Sequence, residues 1–136
     1  KLFRLDSGNS MGRQQWLELL SLQGRQLIEN GKHAEAAEKL REVVRLQPDS
    51  FDGKVQLAVA LVRASDHQAA VPVLRSMIET RPNFLPAYNN LSFVLAQLNR
   101  LDEAEKVCRQ ALEIDPNYES ARRNLQLILK KKSGGD

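Results

Sequence analysis

Two histidines, one cysteine and a set of evenly spaced carboxamides are the residues of this chain with the chemistry to make a site. His33 and His67 lie 34 residues apart. Two imidazoles with no carboxylate–cysteine set at ligand spacing fall short of a zinc site, so they read as surface groups and no metal is expected. Cys108 is the sole cysteine, which excludes an internal disulfide framework and any multi-cysteine metal centre. It falls on an apolar helical stripe, where an unassisted thiol is inert packing. No glycine-rich phosphate loop, His-Glu-x-x-His pair or nucleophile elbow occurs in the sequence. The residues therefore predict neither catalysis nor a cofactor.

The carboxamides are more suggestive. Gln56, Asn90 and Asn124 follow one another at intervals of 34 residues. A primary amide offers both a donor and an acceptor, so a column of them can pair with the N–H and C=O groups of an extended peptide without reading its sequence. The alternative is that these amides are solvated groups tolerated on a helix surface. Which applies depends on the elements that carry them.

Those elements repeat. Pro48, Pro82 and Pro116 share the 34-residue step, and each precedes a turn-forming residue, Asp49, Asn83 or Asn117. Ala36, Ala70 and Ala104 keep the same interval, as do Leu27, Leu61 and Leu95, and the small residues Gly24, Ala58 and Ser92. Each unit contains two segments with apolar residues at helical spacing. The breaks at Asn30-Gly31, Ser65-Asp66 and Asn99-Arg100 combine residues that end one helix with residues that cap the next. The unit is a helical hairpin. Pro72 falls near the start of a helix, where some local distortion is expected. Composition agrees: aromatic residues are only 5% of the chain, and abundant Ala and Leu favour helix-on-helix packing over a sheet.

Charge excludes further classes. The formal net charge is +3, but between Leu17 and Leu129 there are 14 Lys and Arg against 15 Asp and Glu. The excess sits at the ends, and the Lys130-Lys131-Lys132 run reads as a solvated tail, so nucleic acid is not an expected partner. No run of about 20 apolar residues forms a membrane span. The start at Lys1 and the end in Ser133-Gly134-Gly135-Asp136 suggest an excerpt or processed form of a longer chain. The compartment is left undetermined.

The sequence resembles the tetratricopeptide repeat family. The third unit carries the pattern best, with Tyr88, Leu91-Ser92, Leu95, Ala104, Cys108, Ala111 and Pro116. The second reads Lys54, Leu57-Ala58, Leu61, Ala70, Leu74, Met77 and Pro82, and the first Leu20, Gln23-Gly24, Leu27, Ala36, Leu40, Val43 and Pro48. Lys54 and Gln23 depart from it. The resemblance implies an all-α, right-handed superhelical stack of three hairpins at about 17–50, 51–84 and 85–118, closed by a capping helix at 119–129. The whole domain is expected over 13–129, with a tail or linker at 1–12 and a basic, Gly-rich tail at 130–136. Ser10 is a candidate N-cap.

In such a stack the first helix of each hairpin lines a concave groove. The resemblance places Arg25, Gln56, Arg63, Asn89, Asn90, Phe93, Arg123 and Asn124 there as the expected peptide-binding residues, with the carboxamides similar to the asparagine ladder of long tetratricopeptide superhelices. The family's chaperone-binding carboxylate clamp is not matched: Ser21, Arg25, Gln56, Pro86 and Asn90 stand where it needs other residues. The implied function is an interaction scaffold for a protein or peptide partner. A self-associating homo-oligomeric module and a substrate-docking arm of a larger enzyme are the open alternatives.

Overall fold

The structure, a computed structural model, describes residues 10–134. All elements among the described residues are helices: α1 (Ser10–Glu29), α2 (His33–Leu46), α3 (Phe51–Arg63), α4 (His67–Thr80), α5 (Leu85–Gln97), α6 (Leu101–Ile114) and α7 (Glu119–Lys132). Two expected boundaries move. Helix α1 already includes residues 10–12 of the expected N-terminal tail, so Ser10 lies in the helix instead of preceding it, and the rest of that tail, 1–9, is outside the described residues. Helix α7 runs on to Lys132, through three residues expected to be tail. The described residues form two compact units, which divide between Ala64 and Ser65.

In the first unit α1 packs on α2, and α3 packs on both. The small residue of the repeat shows its purpose here. A Cβ on Gly24 would lie 2.7 Å from Leu40 Cγ and Cδ2, and Leu40 is fully buried, so the α1–α2 approach requires a glycine. Leu17, Leu20, Ala36, Ala37 and Val43 complete this core, and Leu57, Ala58, Ala60 and Leu61 bury the inner face of α3. Ser50 caps α3 by accepting the Gly53 N–H at 3.0 Å, relieving one of the donors that a helix start leaves without a partner.

In the second unit α4 packs on α5, α5 on α6, and α7 on both α5 and α6. The core is Ala70, Leu74 and Met77 from α4, Leu91, Val94 and Leu95 from α5, and Ala104, Cys108 and Ala111 from α6, closed by Ala121 and Ile128 of α7. Asp66 caps α4 through the Ala69 N–H at 3.4 Å. The helix passes through Pro72 without ending. That side chain is exposed.

The punctuation repeats with the period. Gly31, Ser65 and Asn99 all have left-handed backbone, with φ of 79°, 62° and 62°. Lys32 N–H reaches Leu27 C=O and Arg100 N–H reaches Leu95 C=O, both at 2.8 Å, so the left-handed residue lets the last carbonyls of α1 and α5 find donors. Pro48, Pro82 and Pro116 each occupy the second position of a reverse turn. Ser50 N–H bonds Gln47 C=O at 3.1 Å, Phe84 N–H bonds Arg81 C=O at 3.0 Å, and Tyr118 N–H bonds Asp115 C=O at 3.1 Å.

Candidate functional site

On the second unit, α5 and α7 lie side by side and hold Asn89, Asn90, Phe93, Arg123 and Asn124 of the expected site. Their states differ. Asn124 Nδ2 donates to Asn89 Oδ1 at 2.7 Å and to Ser92 Oγ at 3.2 Å. Ser92, fully buried, donates in turn to Asn89 C=O at 2.9 Å. The Asn124 amide N–H group and the Asn89 amide oxygen are therefore engaged in fastening α7 to α5. Asn90 is half-buried and makes no side-chain hydrogen bond among the described residues. Arg123 is exposed and stands 4.0 Å from Glu119.

Phe93 is 42% exposed, an unusual state for a phenylalanine in a helix that buries Leu91, Ser92, Val94 and Leu95 around it. Its ring meets His67 of α4 edge-on, with centroids 5.9 Å apart. His67 thus belongs to the packing beside the face. From Phe93 toward α7 a pocket of about 250 Å³ opens, lined by Ala96, Gln97, Leu127 and Ile128, with Ser92 and Asn124 among its polar groups and Lys130 and Lys131 at the end of α7. Leu127 is 61% exposed.

From the sequence alone, Lys130–Lys132 read as part of a tail. In the structure all three belong to α7, and each has its own surroundings. Lys132 Nζ lies 2.7 Å from both Asp102 Oδ1 and Glu105 Oε1 of α6. Glu105 also pairs with Arg109 at 2.9 Å. The hydrogen bond from Lys132, followed by that from Arg109, holds the Glu105 carboxyl below the usual carboxylate range. Lys130 and Lys131 line the pocket instead. The absence of any helix breaker before Gly134 is the signal that would have placed them on the helix.

On the first unit, α1 and α3 enclose a polar pocket of about 230 Å³ lined by Glu18, Ser21, Arg25, Asp52 and Gln56, among others. Gln56 Nε2 donates to Asp52 Oδ2 at 3.2 Å, whereas its Oε1 is buried without a donor. Arg25 and Arg63 are exposed and form no ion pair among the described residues. Of the three carboxamides, Asn90 has no side-chain hydrogen bond among the described residues, Gln56 has a buried oxygen without a donor, and Asn124 has spent its donor.

Cys108 is 1% exposed. Burial pushes its thiol pKa up, opposed by a hydrogen bond with Ser92, which leaves the sulfur in its protonated, unreactive form.

Two family profiles, both described as tetratricopeptide repeat, match residues 21–83 and 61–127. No curated protein matches the sequence. Among solved structures, MamA of MSR-1 is similar at 24% identity and a TM-score of 0.78, covering 87% of this chain and 67% of its own. A double mutant of MamA from RS-1 is similar at 22% identity and a TM-score of 0.79, covering 85% and 65%. The chain thus spans about two thirds of the MamA chains. The first tetratricopeptide domain of Spaghetti (RPAP3), solved with the HSP90 peptide SRMEEVD bound, is similar at 22% identity and a TM-score of 0.76, covering 88% of this chain and 94% of its own. At these identities the likeness concerns the fold. With the 34-residue hairpin signals and seven helices as described, the chain is a member of the tetratricopeptide repeat family.

Proposed function

We propose that this protein–protein interaction module binds an extended segment of a partner protein across the exposed face of α5 and α7. The observation that carries the reading is the pairing of Phe93 with Asn90: an aromatic ring 42% exposed, one turn from an amide that no residue of the fold engages. A helix face with no partner gains nothing from exposing a phenylalanine, whereas a peptide laid across it gives the ring an apolar contact and the amide a backbone pair. The Spaghetti domain, similar in fold, was solved with a peptide bound, which supports a peptide as the class of ligand. The clamp residues for chaperone tails are not matched at Ser21, Arg25, Gln56, Pro86 and Asn90, so a different sequence is expected in the groove.

The polar pocket of the first unit, taken by itself, presents the exposed Arg25 to a carboxylate. Arg63 and Arg123 are further exposed cations for an acidic partner.

A selection from a random peptide library tests the proposal, with every recovered peptide measured against the wild type and an Asn90→Ala, Phe93→Ala variant. Loss of the exposed ring and the free amide should weaken binding by about 1–3 kcal/mol in total. Unchanged binding of every peptide would refute the site. Asn124→Ala is a poor reporter, because that amide also holds α7 in place.

A further inference from the structure

The triple lysine at the end of α7 is divided between two tasks, and the division indicates what the α5–α7 pocket receives. Lys132 is neutralised by Asp102 and Glu105. Lys130 and Lys131, both exposed, have no carboxylate partner among the described residues, and both line the pocket. No Asp or Glu is among the residues that line it. The pocket walls are apolar, formed chiefly by Phe93, Ala96, Leu127 and Ile128. An apolar hollow whose lining includes two lysines without carboxylate partners is complementary to an apolar group that has negative charge next to it.

We propose that this pocket holds one large apolar side chain from an internal segment of a partner protein, and that Lys130 and Lys131 receive Asp or Glu side chains flanking it. A hollow of about 250 Å³ has room for one large apolar side chain. Charge selects the flanks. Two separate cations suit two side-chain carboxylates better than the single carboxylate of a chain end, so a free C-terminus is not required. Ordered duty along α7 follows: Asn124 anchors the helix, Leu127 and Ile128 form the wall, Lys130 and Lys131 read charge, and Lys132 fixes the end of the helix on α6. The inference rests on the peptide-binding reading above and specifies the ligand for one part of that face.

The test uses a random peptide library with both peptide ends blocked, selected in parallel on the full chain and on a Lys130→Glu, Lys131→Glu variant. Wild-type selection should enrich peptides with Leu, Ile, Met or Phe adjacent to Asp or Glu. Binding of these peptides should weaken roughly fivefold in a Lys130→Gln, Lys131→Gln variant, as for two exposed ion pairs, and the charge-reversed protein should select basic flanks. Leu127→Ser, at a side chain 61% exposed that takes no part in the Asn124 hydrogen bonds, should reduce binding while leaving the charge preference in place. Circular dichroism of each variant checks that the helices are retained. Peptides that bind, respond to Asn90→Ala, and show neither acidic enrichment nor sensitivity to the lysines would overturn this inference alone. Recovery of no peptide by the wild type would overturn both it and the peptide-binding reading.

Discussion

Asn124 of α7 donates to Asn89 of α5 at 2.7 Å across a sequence separation of 35 residues. The same amide reaches the buried Ser92 hydroxyl, so three polar groups satisfy one another against the pocket instead of waiting for a ligand. This gives two asparagines at the same repeat position opposite consequences. Asn124→Ala should lower stability by about 1 kcal/mol, because Asn89 Oδ1 and part of the Ser92 hydroxyl lose their partner. Asn90→Ala should change stability by less than about 0.5 kcal/mol, as expected for a side chain with no partner in the fold. Chemical denaturation of both variants checks the contrast, and equal losses would show that the network is not what holds α7.

The sequence carried the hairpins, turns and core because each is encoded within a few residues. Gly31 and Asn99 suit left-handed backbone, Pro48, Pro82 and Pro116 open reverse turns, and Ala36, Ala70 and Ala104 mark close contacts. What it did not carry was the use made of polar groups by residues distant in the chain. Asn124 looks the same as Asn90 in sequence, and only the proximity of α5 and α7 distinguishes them. The end of α7 escaped for a related reason. Lysines neither extend an apolar stripe nor break a helix, so the pattern falls silent where the Lys132 ion pairs, 27 residues from Glu105 and 30 from Asp102, take over.

The Gly24–Leu40 contact supplies a core test. Replacing Gly24 by Ala improves intrinsic helix propensity by about 1 kcal/mol, but places a methyl group 2.7 Å from Leu40 Cγ. Leu40 is wholly buried and cannot turn outward, so overpacking on the order of 1–3 kcal/mol outweighs the propensity gain. The variant should be less stable by about 1 kcal/mol in urea unfolding. A stability gain would mean that α1 and α2 can separate without loss.

The turn at Ser65 supplies the opposite sign. Its φ of 62° places a β-carbon where the left-handed conformation crowds it, whereas Gly31 holds the equivalent position without that penalty. Ser65→Gly relieves the strain and adds some freedom to the unfolded chain, for a net gain of a few tenths to about 1 kcal/mol. The thermal midpoint should rise. A fall would show that the Ser65 side chain contributes more than its backbone costs.

The clasp of Lys132 on α6 predicts how the end of α7 responds to pH. Glu105 has its pKa lowered, chiefly by the hydrogen bond from Lys132. A carboxylate shifted in that direction contributes stability above its unfolded value of about 4.3, and that contribution is lost as pH falls through the lower folded value. Lys132 has its pKa raised by hydrogen bonds to Asp102 and then Glu105. Its contribution is complete below the unfolded lysine value of about 10.4 and disappears only as pH rises through the still higher folded value. The clasp should therefore hold from mildly acidic to strongly basic conditions and open below the ordinary glutamate range. Amide exchange along Ile128–Lys132, followed by NMR and corrected for intrinsic pH dependence, should show steady protection down to that range and a loss below it. Lys132→Gln should remove the pH step and lower protection at neutral pH, with Asn124 still holding the first half of α7. Protection that is insensitive to both acid and the substitution would mean that Ala121 and Ile128 alone secure the helix.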